Sequence, residues 1–88
     1  MNTESVECRR VTEIEKIGDF AFSDDFGTLY IWIPGTTGPD AISIQRGPSV
    51  QPRVWEWDGN EKKPTLNPSL LVPGQWHGFL RAGTLQSC

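Results

Sequence analysis

From Asp19 onward, apolar and polar side chains alternate in short runs separated by glycine, proline and aspartate. A period of two marks a half-buried strand, because successive side chains leave opposite faces. Residues 19–23 place Phe20 and Phe22 on one face, and Asp24-Asp25-Phe26-Gly27 reads as a turn. Residues 28–33 are rich in β-branched and aromatic side chains, 41–46 set Ile42 and Ile44 inward, and 53–57 put Trp55 and Trp57 together. After the Asp58-Gly59-Asn60 turn come 65–72, interrupted by Asn67-Pro68, then 76–81, a two-residue Ala82-Gly83 loop, and 84–88. The pattern predicts an all-β fold: six or seven short strands in an antiparallel meander, closed as a small barrel or folded as a sandwich. The first ten residues are polar and predict a loosely ordered start. Val11, Ile14 and Ile17 recur every third residue, which suits one helical turn or an irregular strand ending at Gly18.

Register sharpens the picture at the C-terminal end, since a slip of one residue moves every side chain to the other face. A two-residue Ala82-Gly83 loop pairs Arg81 with Thr84, Leu80 with Leu85, Phe79 with Gln86 and His77 with Cys88. The preceding turn at Pro73-Gly74 admits two registers. A two-residue loop sets Leu70 opposite His77. A three-residue loop, Pro73-Gly74-Gln75, sets Val72 opposite Trp76 and Leu70 opposite Gly78, which segregates apolar from polar better and is preferred. It makes Ser69, His77 and Cys88 neighbours on three adjacent strands.

Composition narrows the function classes. Eighty-eight residues predict one domain, 1–88, because a chain this short buries only about 60% of its unfolded surface. Glycine and proline make 9 + 7 = 16 of the residues, which argues against a helix bundle. The formal charge is −3 with charges scattered, so a nucleic-acid groove is not expected. The longest apolar run, 29–34, is far short of the roughly 20 residues that cross a bilayer, and no basic-then-apolar leader opens the chain. The expectation is a cytoplasmic protein with no membrane partner. In that compartment Cys8 and Cys88 stay reduced rather than bridging. One histidine and two cysteines cannot build a zinc site of four Cys/His ligands within one chain; carboxylates or a second subunit could complete one, but nothing in the spacing points to it, and no metal or other cofactor is expected.

Ser69, His77 and Cys88 are the candidate catalytic residues, because an imidazole beside a hydroxyl or thiol can take its proton and make it a nucleophile. Glu56 or Asp58 could orient the histidine. The plainer reading makes His77 a local hydrogen-bonding group, Ser69 a turn hydroxyl and Cys88 a frayed end; no Gly-x-Ser-x-Gly elbow is present. Trp55 and Trp57, with Trp76 and with Tyr30 or Trp32 beside them, are the candidate ligand-binding platform for a sugar or base; the competing reading is core. Asp19, Asp24, Asp25 and Asp40 lack calcium-loop spacing and read as solvated loop carboxylates. Gly35-Thr36-Thr37-Gly38 has no following lysine and reads as a turn.

Trp55-Glu56-Trp57-Asp58-Gly59-Asn60, Pro64-Thr65-Leu66-Asn67-Pro68-Ser69, Trp76-His77-Gly78, Gly83 and a closing Ser87-Cys88 together resemble the short domains of unknown function common in tailed phages and prophages. Longer relatives stand beside bacterial ubiquitin-like conjugation genes and have been proposed to be peptidases. The resemblance is strong over the C-terminal third and holds in outline before it. It implies Ser69 and His77 as the positions of any activity, with Cys88 where short members also end. Many relatives carry extra cysteines that look like metal ligands; here Ile33-Pro34-Gly35 and Gln75 stand in those places. Together these observations predict a phage-type accessory domain that binds a protein partner. The alternatives are a small hydrolase or peptidase using His77 with Ser69 or Cys88, and an aromatic-platform binder.

Overall fold

A computed structural model describes residues 5–88. Ten strands occur among them: β1 (Ser5–Glu7), β2 (Arg9–Arg10), β3 (Asp19–Phe22), β4 (Thr28–Ile31), β5 (Asp40–Arg46), β6 (Trp55–Trp57), β7 (Leu66–Asn67), β8 (Leu70–Val72), β9 (Trp76–Arg81) and β10 (Thr84–Ser87). They form two sheets, one ordered β1-β10-β9-β8 and one, curled, ordered β2-β3-β4-β5-β6-β7. The all-β expectation holds. The seven expected strands become ten because Pro68 divides 65–72 into β7 and β8 and because the N-terminal segment adds two.

Three expectations are corrected. Residues 5–10 are not loose: β1 pairs with β10 from Ser5↔Gln86 to Glu7↔Thr84, and β2 pairs with β3. Residues 1–4 of that expected loose start lie outside the described residues. Backbone bonds hold this polar segment, with Cys8 N–H donating to Gly83 O and Arg9 N–H to Gly18 O. The sheets are not wholly antiparallel, since β2–β3 and β5–β6 run parallel. Of the two alternatives at 11–17 neither a helical turn nor a strand forms; the Glu15 and Lys16 amides instead donate to the Asp19 carboxylate.

Alternation puts one face of each sheet into a common core. Phe20, Leu29, Ile31, Ile33, Ile42, Ile44, Trp57 and Leu66 come from the curled sheet and its margins, and Leu70, Trp76, Leu80 and Leu85 from the smaller one. The β9–β10 hairpin has the expected register, and its loop residues Ala82 and Gly83 both take positive φ, as a type I′ turn requires. The three-residue turn between β8 and β9 also matches the preferred register, with Leu70↔Gly78, Leu71↔His77 and Val72↔Trp76. Among the described residues no helix is long and apolar enough to cross a membrane.

Candidate active site

The chain passes from the curled sheet to the smaller one at Pro68 and Ser69, and this crossing positions the serine. Asn67–Pro68 is cis and separates β7 from β8. Trp55, on β6, donates its indole N–H to the Ser69 carbonyl at 3.1 Å, which ties the serine backbone to the sheet it has just left. On β9 the Trp76-His77-Gly78 triplet fixes the histidine. Trp76 and Gly78 face the core and His77 faces outward, as the burial alternation records. A Cβ at Gly78 would stand 2.5 Å from the Trp76 ring and would also clash with the Gln86 carbonyl. Glycine is therefore required for the tryptophan to fold across its own strand.

These two constraints bring Ser69 Oγ to 3.1 Å from His77 Nε2 on the outer face of the smaller sheet, at an exposed site. When the imidazole carries its proton on Nδ1, Nε2 accepts the hydrogen bond from the serine hydroxyl. A hydroxyl so placed can pass its proton to the ring as the oxygen attacks an electrophile. On the same face the Arg81 guanidinium lies 4.0 Å from the Phe79 ring centroid.

Of the other residues singled out from sequence, Cys88 joins the site through its backbone. Its amide donates to the His77 carbonyl at 2.9 Å, and its side chain is exposed and unbridged. Cys8 is also a free thiol, so the two cysteines do not pair. Burial among apolar side chains pushes the Cys8 thiol up to about 11. The two proposed orienting acids are engaged elsewhere: Glu56 accepts the Ser49 amide, and Asp58 accepts those of Asn60 and Thr65.

The tryptophans do not assemble as a platform. Trp57 is 2% exposed, stacks on Phe26 and meets Phe22, while Trp76 is 9% exposed. Neither offers a ring face to a ligand, and each belongs to the core. Trp55 is half-buried and serves Ser69, a role invisible in sequence because β6 and β8 lie in different sheets. Asp19 is not a solvated loop carboxylate. It is 1% exposed and lies 3.8 Å from Arg9. Among the described residues, no group of three histidine, cysteine or acidic side chains is arranged to hold a metal ion.

No curated protein and no solved structure matches the chain. A family model does match, over residues 7–88, and its family is described as the bacterial ubiquitination-like system serine protease, BubE. The match begins at the last residue of β1 and covers the strands from β2 onward, the Ser69–His77 pair included, and it agrees with the resemblance to domains beside ubiquitin-like conjugation genes. The chain belongs to the BubE family.

Proposed function

We propose that this protein is a serine peptidase of a bacterial ubiquitination-like system, with Ser69 as nucleophile and His77 as general base. The observation that carries the reading is the exposed 3.1 Å contact between Ser69 Oγ and His77 Nε2 in a chain of this family. Ser69 Oγ bonds to the carbonyl carbon of a peptide bond while its proton moves to His77 Nε2. The carbon–nitrogen bond then breaks, and His77 returns the proton to the leaving amine. Water repeats the sequence on the acyl-serine, releasing the carboxylic acid and restoring both groups.

A fluorophosphonate probe tests this directly. Labelling is expected at Ser69, absent in Ser69→Ala and slowed at least about 100-fold in His77→Ala. Trp55→Phe, which keeps the ring and loses the N–H bond to the Ser69 carbonyl, is expected to slow labelling about tenfold. Cys88→Ser should leave it unchanged. Equal labelling of the parent protein and His77→Ala would overturn the reading and favour a binding module without chemistry.

A further inference from the structure

Beside the Ser69–His77 pair lies a groove of about 590 Å³ whose walls include Asp40–Ser43 of β5 and Leu70–Val72 of β8. Both walls are open strand edges. β8 is the last strand of its sheet, paired only with β9. β5 pairs with β4 over Asp40–Ser43, whereas its bonds to β6 begin at Ile44.

Strand geometry fixes which backbone groups face the groove. Cys88 N–H bonds to His77 O, so the His77 amide and carbonyl point toward β10, and those of Trp76 and Gly78 toward β8. Leu70 and Val72 take those bonds, and the N–H and C=O of Leu71 between them point away from the sheet. By the same alternation, Ile44 N–H donates to Gly27 O on the β4 side, so the backbone groups of Ala41 and Ser43 point toward the groove. The floor is apolar, with Ile33, Ile42, Trp55 and Leu70. Two charged residues line it, Asp40 and Arg53, and Asp40 Oδ2 is buried without a hydrogen-bond partner. A buried carboxylate oxygen lacking a donor is costly, and a cationic side chain entering the groove would supply one.

We propose that this groove takes an extended segment of the substrate polypeptide, which adds to the β8 edge through the backbone of Leu71 and places a lysine or arginine side chain on Asp40. The inference rests on the peptidase reading and names the substrate class for that site. Strand addition of this kind draws affinity from main-chain bonds and selectivity from the pockets that receive alternate side chains. Trp55 and Leu70 line the end of the groove next to Ser69, whose carbonyl Trp55 bonds, and in this reading a chain leaving there continues toward the Ser69 hydroxyl.

The test separates binding from cleavage by using the full-length Ser69→Ala protein, isotopically labelled for NMR. The probes are two blocked pentapeptides of sequence Thr-Val-Lys-Val-Thr and Thr-Val-Glu-Val-Thr. The lysine peptide is expected to shift the Leu71, Ala41 and Ser43 amides and to bind at least about tenfold more tightly than the glutamate peptide. Asp40→Asn should reduce that preference below about threefold. Leu71→Pro, which removes an outward N–H and leaves the β8–β9 bonds intact, should abolish binding, while Leu71→Ala retains it. Shifts confined to other surfaces, equal affinity for both peptides, or full binding by Leu71→Pro would overturn the proposal. Peptide bound in the groove but no probe labelling of the parent Ser69 would count against the peptidase alone. Labelling and cleavage that ignore Leu71 and Asp40 would count against the groove alone.

Discussion

Ser69 and His77 meet because each is set by a neighbour that faces the core. The serine's carbonyl is held by Trp55 and the histidine's strand by Trp76 over Gly78. Their shared face was legible in the sequence, since only the three-residue turn placed Leu70 and Val72 with Trp76 on the apolar side. The Trp55 bond was not legible, because alternation reports which face a residue takes and not which strand lies across from it. The two cysteines differ in the same local way. Cys8 is half-buried, and its thiol is raised from an ordinary 9.0 to about 11, chiefly by desolvation. Between those values the unfolded chain releases a proton that the folded chain keeps. The stability contribution is therefore whole below about 9 and is lost as pH rises toward about 11. Urea midpoints at about pH 8 and about pH 10.5 should fall less in Cys8→Ala than in the parent protein; an equal fall would remove Cys8 as the cause. At about pH 8, iodoacetamide should modify the exposed Cys88 at least about tenfold faster than Cys8.

At the scale of elements, the β8–β9–β10 ribbon follows local rules that a sequence can display. Ala82-Gly83 turns tightly and Pro73-Gly74-Gln75 turns one residue wider, and both registers follow from keeping Trp76, Leu80 and Leu85 together. Parallel pairing of β5 with β6 left no comparable mark, because Ile44 alternates identically whichever neighbour it meets. β1 and β2 were missed for a different reason. Ser5–Glu7 and Arg9–Arg10 bury little side chain and are held by ladder bonds to β10 and β3, which polarity patterns do not register. Gly78 gives this ribbon its sharpest test. Gly78→Ala forces a methyl into the Trp76 ring and the Gln86 carbonyl on the adjacent strand. A cost of about 3 kcal/mol is expected, lowering the melting temperature by roughly 12–24 °C. Probe labelling at Ser69 should fall as well, since the displaced indole carries His77 with it. A melting point within about 2 °C of the parent would show that the strand can move aside.

Across the whole molecule, the chain changes sheets at two places, Cys8 and Pro68–Ser69. The second crossing carries the serine. The first carries no chemistry, and its consequence is mechanical: β1 closes the edge of β10 while β2 closes the edge of β3, so one short segment covers an open edge in each sheet. Val6 and Cys8 pack against the core from this segment, and Gly18, without a side chain, lies under Val6. A chain beginning at Val11 loses those contacts and the bonds from Cys8 to Gly83 and from Arg9 to Gly18. The loss should be about 3 kcal/mol, and the uncovered β10 edge should pair with a second copy. The opposite edge, β8, keeps its neighbours, so Ser69 should label at close to the parent rate in whatever fraction stays folded. Thermal melts and light scattering across a concentration series read both effects. A truncated chain that melts with the parent and stays monomeric would show that the two sheets hold together through their shared core alone.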